Sequence, residues 1–556
     1  MACIYFHPDG FTTAGRQVMG RHVAGESFLS AYLRYACDDN FALFLEDESH
    51  LNVFNDLADA EGVKSSPVVI KRSNYKQLSS HQIFFKPGPN LSDLARQRSL
   101  FGDSSWSLCG ITHTISSDTA MDQIVDLTVA PLQPWDALIC TSSAVKNSVE
   151  VLLRNQINYI ANRFQAKRCP LPQLPVIPLG VDQSKFKFSS DFRRTSRRDF
   201  GIGIEDIVVL YVGRLSFHAK ANPCVMYESI QQAARSIDGR VVLIECGWFY
   251  NDYILRSFNQ ARQYFSPNID FVSVDGRQPE LLQRAWAAAD IFCSFSDNIQ
   301  ETFGITPIEA MASGLPVVVS NWNGYKDTVR DGIDGFSIPT SMPAPSLRQN
   351  LGLDLGVGTI DYDLYLGLTA LQVTVSLEHA VRAFRSLFES KALRLSMGEN
   401  ARKSVAFKYD WSVIIPQYND LWLHLSERRN HKAKTMGLSP ANPFPARPDP
   451  FELFKNYPSS LMNKDSNLRL FRSSEDSLHR LNSILSMKMF SPYSNFFLDH
   501  SLLALIVKMV NDLGMVTVEV LYHSLSSKDP LKTCRSIAFL IKVHILIIEE
   551  DLTRPC

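Results

Sequence analysis

The chain has 556 residues, of which 45% are hydrophobic and 20% are charged, and its formal net charge at pH 7 is -1. This length predicts roughly three or four domains, and the composition is that of an ordinary soluble protein. With a net charge so close to zero, no overall electric field would draw in nucleic acid or an anionic membrane.

Cysteine usage and the absence of long apolar runs indicate a compartment. Ten cysteines are scattered without a CxxC pair, which favours reduced thiols over disulfides or a zinc site. The N-terminal sequence MACIYFHPDG lacks the basic and the long apolar regions of a signal peptide. No apolar run reaches the roughly 18 residues that a membrane span needs. The sequence therefore predicts a cytoplasmic protein without a transmembrane segment.

Residues 1–190 alternate apolar runs of strand length with helical stretches, which is typical of a parallel sheet covered on both faces. The predicted strands are 3–7, 41–46, 107–115, 137–143 and 174–180. After the first strand, Gly15, Gly20 and Gly25 would let a ligand approach the backbone before a helix begins. Their spacing is not the GxGxxG of dinucleotide-binding proteins, and a flexible loop tip is the alternative. His113 ends another predicted strand, where either a ligand contact or a structural histidine is expected.

The same alternation restarts after a polar segment and defines a second half, residues 191–390. Its predicted strands are 206–215, 240–249, 269–274, 289–295 and 315–320. Two parallel α/β halves joined by a hinge predict a cleft at the carboxyl ends of both sheets, where ligands usually bind.

The remaining chain is divided by its proline content. Residues 391–428 are predicted to be closing helices, and residues 429–450 form a proline-rich linker. Residues 451–556 are predicted to form a mainly helical module, which is either a winged-helix nucleic-acid binder or a docking module for a protein partner or an acceptor. Its 12 Lys and Arg against 11 Asp and Glu argue against nucleic acid as a partner.

The segment 301–319 contains two glutamates around a predicted helix start. Thr306 is expected to cap the helix, with Pro307 at the first helical position and Glu309 three residues beyond the cap. Free backbone N–H groups at such a helix start attract anions, phosphate above all. The alternative is that Glu309 only completes a capping box and that Glu301 is a solvated loop acid.

Two cations follow the first predicted strand of the second half. Arg214 and Lys220, in GRLSFHAK, would project into the cleft, and they suit a diphosphate as a bidentate fork and a point charge. The alternative is a pair of surface cations in ordinary ion pairs. Asp361 and Asp363 resemble a metal-binding DxD motif, but the segment 340–365 is interpreted as a loop, and no metal site is predicted.

Taken together, these motifs resemble the retaining nucleotide-sugar glycosyltransferases of family four, the group 1 glycosyltransferases of GT-B architecture. Glu301 and Glu309, separated by seven residues in ETFGITPIEAMASGLPVV, carry the resemblance. VGRL with a following lysine at 212–220, IPLGVD at 177–182 and DGIDGF at 331–336 support it. The resemblance implies an α/β fold with two Rossmann-like domains facing a cleft, followed by the smaller helical module.

The resemblance implies a phosphate-binding group on the donor side of the cleft. Arg214 and Lys220 would neutralise the departing nucleoside diphosphate. The backbone amides of Gly304, Ile305 and Thr306 would bind the same phosphates at the helix start. These cations would replace a metal, so a metal-independent reaction is expected.

For the sugar and the ribose, the resemblance implies four further residues. Glu309 would accept hydrogen bonds from the ribose hydroxyls, and Glu301 would contact the donor sugar on its reacting face. His113 would line the sugar pocket from the first domain, and Gly20 would lie near the phosphates.

The implied activity is the transfer of a hexosyl-type sugar from a nucleotide sugar, with retention of anomeric configuration. No cofactor is expected beyond this donor, and UDP is favoured as its nucleotide by family frequency. The acceptor stays open between a glycan, a lipid carrier, a small molecule and a protein. Two departures from the family pattern, Ala221-Asn222-Pro223 and Tyr325-Lys326-Asp327, leave an alternative. In it, the chain is a catalytically lapsed nucleotide-sugar-binding scaffold whose C-terminal module binds a protein partner.

Overall fold

The computed structural model describes residues 2–12, 20–36, 41–63, 67–347, 349–433, 442–525 and 529–549. The chain divides into two compact units, Met1–Pro443 and Phe444–Cys556. Gly15 lies outside the described residues, so its predicted place beside a ligand has no structural counterpart here.

The first sheet has six parallel strands in the order β3-β2-β1-β4-β5-β6. Its strands are β1 (Ala2–Tyr5), β2 (Ala42–Leu45), β3 (Val68–Lys71), β4 (Ile83–Lys86), β5 (Ser107–Ile111) and β6 (Ala137–Ile139). Apart from the largely exposed edge strand β3, they are apolar and almost entirely buried because helices cover both faces of the sheet. The strand order reverses between β1 and β4, and ligands of doubly wound sheets bind at such a switch point.

The second sheet repeats this topology, in the order β12-β11-β10-β7-β8-β9. Its strands are β7 (Ile207–Val212), β8 (Val241–Gly247), β9 (Asp270–Asp275), β10 (Ile291–Ser294), β11 (Val317–Ser320) and β12 (Gly335–Ile338). The switch point falls between β7 and β10. The predicted fold class is confirmed, since both sheets are parallel, doubly wound and covered by helices.

Helices of the first unit cover the two sheets. They are α1 (Pro8–Phe11), α2 (Gly20–Tyr35), α3 (His50–Ala60), α4 (Ser92–Ser99), α5 (Asp118–Asp126), α6 (Ser143–Phe164), α7 (Ser190–Asp199), α8 (Cys224–Ala234), α9 (Asp252–Phe265), α10 (Pro279–Ala288), α11 (Ile305–Ala312), α12 (Tyr325–Thr328), α13 (Leu351–Gly356), α14 (Tyr362–Ala370), α15 (Leu377–Glu389), α16 (Lys391–Lys408) and α17 (Trp411–Ala433). Three 3-10 helices, Arg72–Ser80, Gln183–Phe186 and Pro345–Leu347, and a short hairpin of β13 (Thr340–Ser341) and β14 (Thr374–Val375) complete the unit.

One predicted strand of the first half is wrong. Residues 173–180 form only isolated bridges, of Gln173 to Ala137 and of Val176 to Cys140. Prolines occur repeatedly in this stretch and lack the N–H group that a continuous ladder requires. The sheet still has six strands, because β3 and β4, which the sequence analysis did not predict, join the four predicted strands.

The interpretation of residues 340–365 as a loop is also wrong. The segment contains β13, a 3-10 helix, α13 and the start of α14. Asp361 is the N-cap of α14, where its side chain accepts a hydrogen bond from the backbone N–H of Leu364. The DxD pattern therefore marks a helix start.

The chain crosses between the two sheets twice, and the two crossings are hydrogen-bonded to each other. The N–H of Val181 donates to the carbonyl of Tyr409 at 2.8 Å, and the N–H of Trp411 donates back to Val181 at 3.2 Å. A Cβ atom at Gly180 would lie 2.5 Å from the Trp411 indole, so only glycine fits there. Beyond this point α17 packs into the core of the first sheet, with the Trp411 indole donating to Ser27 at 2.7 Å.

The second unit has its own core around a three-stranded antiparallel sheet, in the order β16-β15-β17. Its elements are α18 (Pro450–Leu453), β15 (Asn467–Leu470), α19 (Ser474–Leu485), the 3-10 helix Ser491–Phe496, α20 (His500–Leu513), β16 (Val516–Thr517), α21 (Val518–Leu525), α22 (Pro530–Lys542) and β17 (Leu546–Ile548). Whether this unit binds a protein partner stays a prediction.

Across the described part of the chain, no helix combines the length and the apolarity that crossing a bilayer requires.

Candidate active site

Two loops at the switch point of the second sheet form the base of the candidate site. One loop follows β7 and the other follows β10. The backbone N–H of Asn222 donates to the buried carboxylate of Asp297 at 3.3 Å, and the Asn298 amide donates to the His218 carbonyl at 2.6 Å. These bonds fix the loop that carries Arg214 and Lys220 against the loop that carries Glu301.

The predicted cations and one predicted acid meet here. The Lys220 ammonium lies 2.5 Å from the Glu301 carboxylate, and both side chains are largely shielded from solvent. The Arg214 guanidinium donates to the side-chain oxygen of the neighbouring Gln300 at 3.3 Å. Lys220 is therefore ion-paired, but its partner is the other predicted site residue and not an unrelated surface acid.

Glu309 lies on the first turns of α11 and is half-buried. Within the described residues its carboxylate forms no hydrogen bond or ion pair. Burial raises the pKa of Glu309 to about 7, and the positive charge of Lys220 opposes part of that rise. The ionised form of such a half-buried carboxylate is stabilised by any ligand that donates hydrogen bonds to it.

The start of α11 differs from the sequence prediction. The helix begins at Ile305 with Gly304 as N-cap, and no side chain caps it. The predicted Thr306 cap is wrong, Pro307 is the third helical residue, and Glu309 does not complete a capping box. Within the described ranges, the first-turn N–H groups thus have no side-chain acceptor and no intrahelical one, which suits an anion.

Gly304→Ala is expected to destabilise the protein by about 2–4 kcal/mol. Gly304 has φ 83°, and a Cβ atom there would lie 1.9 Å from the buried ring of Tyr325. The free energy of unfolding from denaturant titration measures the effect. Gly352→Ala is the control, because nothing lies within 4 Å of its added Cβ. Equal stability of the two variants would contradict this role of Gly304.

A chain of hydrogen bonds connects this site to the first sheet. The Gln300 amide donates to the Tyr362 hydroxyl at 2.9 Å, and this hydroxyl lies 2.8 Å from the hydroxyl of Ser116, which follows β5. Through Gln300, Arg214 belongs to the same chain. The sequence analysis missed Gln300 and Tyr362, since their only signals are adjacency to Glu301 and a place in the supposed loop.

Tyr362→Phe is expected to raise KM for the donor about 2–10-fold with little change in stability, the value of one neutral hydrogen bond. The missing hydroxyl would leave Gln300 free to rotate away from Arg214. Steady-state kinetics would measure KM and kcat separately. Tyr365→Phe, on the same helix, is the control. An identical change in both variants would show that the Tyr362 hydroxyl has no specific role.

A second bridge explains one departure from the family pattern. The Ser142 hydroxyl donates to the Thr302 carbonyl at 2.7 Å, and the Asp327 carboxylate accepts from the Ser143 N–H at 2.6 Å. Ser142 caps α6, so Asp327 places a negative charge at a helix N-terminus. Tyr325 packs on Gly304 in the same turn, so Tyr325-Lys326-Asp327 contributes to domain contacts.

Of the first-half candidates, His113 lies at the carboxyl edge of the sheet after β5, three residues before Ser116. It lines a small apolar cavity together with Phe28 and Tyr418. No described contact joins Gly20 to the second sheet. Gly25 lies inside α2, where a Cβ atom would lie 1.8 Å from the Gly10 carbonyl oxygen, so this glycine permits helix packing and does not belong to a ligand loop.

In the described ranges, no three His, Cys, Asp or Glu residues cluster as the ligands of a metal ion would.

Two doubly wound sheets, the second with cations, carboxylates and a helix start at its switch point, define an α/β protein of GT-B architecture. Residues 192–347 match the family model described as glycosyl transferases group 1. This match, which covers residues 192–347 only, confirms the resemblance to the group 1 glycosyltransferases stated from the sequence.

Individual relatives are distant. A D-inositol 3-phosphate glycosyltransferase of Corynebacterium kroppenstedtii is 26% identical over 296 residues, which are 52% of this chain and 56% of that protein. A lipopolysaccharide 1,2-N-acetylglucosaminetransferase of Salmonella typhimurium is 22% identical over 212 residues, 37% of this chain and 52% of that protein. The chain spans about half the length of these curated relatives. A crystal structure of Anabaena HepE with UDP and glucose covers 78% of this chain and 100% of its own, with 13% identity and a TM-score of 0.46.

Proposed function

We propose that this protein transfers a hexosyl-type sugar from a nucleoside-diphosphate sugar to an acceptor, with retention of anomeric configuration. The observation that carries the proposal is the arrangement around α11. Lys220 and Glu301 are paired in front of its N-terminus, and the half-buried Glu309, just inside it, has no hydrogen-bond partner among the residues that the structure describes.

The phosphate side of the site would consist of Arg214, Lys220 and the first-turn amides of Gly304, Ile305 and Thr306. As the donor binds, the Lys220 ammonium would exchange part of its contact with Glu301 for the diphosphate. Charge builds on the leaving phosphate during transfer, and preorganised cations and amides stabilise it most in the transition state. These groups supply the positive charge that a metal supplies elsewhere, so we propose a metal-independent reaction.

The sugar side would use the two glutamates. Glu309, whose carboxylate has no partner in the described part of the chain, would accept hydrogen bonds from the two ribose hydroxyls of the nucleotide. Glu301, released from Lys220 in part, would contact the donor sugar on its reacting face. His113 would complete the sugar pocket from the edge of the first sheet, and Gly20 would approach the phosphates when the two sheets close around the donor.

The reaction step balances without a further reactant. The bond between the anomeric carbon and the phosphate oxygen breaks, and its electron pair leaves with the nucleoside diphosphate. The acceptor oxygen then bonds to the anomeric carbon from the same face. Its proton passes to the departing phosphate, so Glu301 need not act as a covalent nucleophile. Closure around the donor would exclude water and limit hydrolysis.

UDP is our proposed nucleotide, and no cofactor beyond the donor is proposed. The competing function, a lapsed scaffold, was motivated by the altered residues near Lys220 and after β11. The contacts support the transferase, because Asn222 positions the Lys220 loop through Asp297, and Asp327 joins the two sheets.

Product analysis tests the proposal. The protein would be incubated with UDP-glucose, UDP-N-acetylglucosamine and GDP-mannose together with an acceptor panel, and NMR would identify the anomeric configuration of any glycoside. A product with the donor's configuration, formed in the presence of EDTA, is expected. An inverted product, or one that requires added metal, would contradict the mechanism. Release of no nucleotide from any donor would favour the scaffold.

A further inference from the structure

Only the first half of helix α6 packs on the core of the first sheet. The buried residues of this helix are Val145, Val149 and Leu153. Every residue from Arg154 to Arg168 is exposed or half-buried. The helical part of this stretch, 154–164, makes about three turns and is about 16 Å long. We call residues 154–168 the α6 tip, since they extend beyond the core that holds the rest of the helix.

The α6 tip is basic although the whole chain is almost neutral. It carries four exposed cations, Arg154, Arg163, Lys167 and Arg168. Residues 151–181 contain no Asp or Glu, so the segment has a local excess of four positive charges. Within the described residues, none of these cations forms an ion pair. A patch of this kind attracts a polyanion or an anionic surface, whatever the charge of the whole chain.

Apolar side chains form a stripe along one face of the α6 tip. Ile157, Ile160 and Phe164 are spaced by three and four residues and lie on the same helix face as the buried Leu153. The two isoleucines are half-buried, and Phe164 is 67% exposed. The face that packs on the sheet in the first half of α6 therefore continues as an increasingly exposed apolar stripe.

The cations of the helix flank this stripe on both sides. With about 100° between successive residues, Arg154 lies about 100° from Leu153 on one side, and Arg163 lies about 80° from it on the other. The opposite face presents the amides of Asn155, Asn158 and Asn162. Arginine and lysine beside an apolar stripe lay their aliphatic stems along it and extend their charges to lipid head groups. Helices that lie in a membrane interface have this arrangement.

We propose that the α6 tip binds the surface of an anionic membrane. Phe164 and the two isoleucines would enter the boundary between head groups and acyl chains, and the cations would bind lipid phosphates. A nucleic acid would engage the cations and stack on aromatic rings, but it would leave the aliphatic stripe uncovered. Charge and apolar pattern together therefore favour a lipid surface.

The α6 tip is remote from the candidate active site. The helix begins at Ser143, whose N–H group donates to Asp327 at the bridge between the two sheets. With 22 residues, α6 places its C-terminal end about 33 Å from that bridge. Membrane binding would therefore hold the protein at a surface without occupying the cleft, and the inference does not depend on the proposed function.

Vesicle flotation of the full chain tests the inference, with vesicles of phosphatidylcholine alone and of an equal mixture of phosphatidylcholine and phosphatidylglycerol. Wild type is expected to bind the anionic vesicles about tenfold or more tightly than the neutral ones, and NaCl at about 0.5 M should weaken this binding by screening. The triple variant Arg163→Gln, Lys167→Gln and Arg168→Gln should bind the anionic vesicles about 100-fold more weakly. Phe164→Ser should bind them about tenfold more weakly, because no ring enters the membrane.

Matched controls remove the same kinds of side chain elsewhere. The double variant Arg194→Gln and Arg198→Gln removes two exposed arginines of α7, and Phe407→Ser removes a 78% exposed phenylalanine of α16. Both controls should bind like wild type. The inference is overturned if wild type does not distinguish anionic from neutral vesicles. It is also overturned if Phe164→Ser binds as tightly as wild type, which would indicate a nucleic acid or an acidic protein as the partner of the cations.

Discussion

Lys220→Ala is expected to lower turnover with a nucleoside-diphosphate sugar about 10²–10³-fold while the protein stays folded. Lys220 would stabilise the charge that develops on the leaving phosphate, so its effect is greatest in the transition state. The substitution also leaves Glu301 beside the diphosphate without its 2.5 Å partner, and the two negative charges would repel each other. Both effects should reduce kcat and kcat/KM together.

The control for this prediction is a lysine in an ion pair of similar length. Lys403 lies 2.6 Å from Glu399 on α16, where both side chains are mostly exposed. Lys403→Ala should leave turnover unchanged, because an exposed pair of this kind contributes little. Turnover within threefold of wild type in the Lys220 variant would remove Lys220 from the phosphate site. A loss of the folded circular dichroism signal would instead make it structural.

Glu309→Gln is expected to weaken UDP binding about 10–100-fold. The same substitution is expected to increase the free energy of unfolding of the unliganded protein. Hydrogen bonds from ribose hydroxyls are stronger to a carboxylate than to an amide oxygen, which gives the loss of binding. The stability gain follows from the pKa of Glu309, which burial raises from 4.5 to about 7. A carboxyl with a raised pKa binds its proton more tightly in the folded state, so ionisation destabilises the fold.

The pH window of this effect follows from the two pKa values. The destabilisation by Glu309 is absent below pH 4.5, grows between pH 4.5 and about 7, and is complete above that. The gain of the variant should therefore be larger at pH 8 than at pH 6 and reach about 1–2 kcal/mol, after allowance for partial exposure. Urea titrations at both pH values would measure it.

Glu399→Gln is the matched control, since the pairing with Lys403 lowers the pKa of Glu399 and its loss should bring no gain in stability. A Glu309 variant that is less stable than wild type at pH 8 would contradict the description of Glu309 as a half-buried carboxylate whose ionisation destabilises the fold. Because Glu309 becomes protonated as the pH falls through about 7, donor binding by wild type should weaken over that range. The Glu309→Gln variant should lack this pH dependence.

The second sheet could be predicted well from the sequence because its central strands are continuous apolar runs, such as Val317–Ser320, bounded by turn residues. Two of the unpredicted strands, β3 and β12, lack that signal, whereas β4 is a buried apolar run that the sequence analysis missed. β3 is an edge strand with a largely exposed pattern, and β12 is four residues long and begins with glycine. The pairing of β3 and β12 depends on the neighbouring strands of the sheet, and a local sequence pattern carries no information about those strands.

The candidate site could be predicted only where the residues are close in sequence. Glu301, the α11 start and Glu309 belong to one segment, and Lys220 follows the expected strand. Thr306 was assigned as the helix cap because its local sequence fits a capping box. The helix instead begins earlier, at Ile305, where Gly304 packs against Tyr325. These two residues are 21 positions apart in the sequence, so a local pattern does not contain this contact. Tyr362 could not be predicted for the same reason, because its role depends on contacts with both sheets.

The most direct test of the account is a thermal-shift panel of UDP, GDP, ADP and CMP on wild type, Glu309→Ala and the control Glu399→Ala. A nucleotide at about 100 times its dissociation constant should stabilise the protein by roughly 2.7 kcal/mol. The account predicts a shift with UDP that is retained in Glu399→Ala and lost in Glu309→Ala. The absence of a shift with any nucleotide, or an equal shift in both variants, would contradict a donor site built on α11.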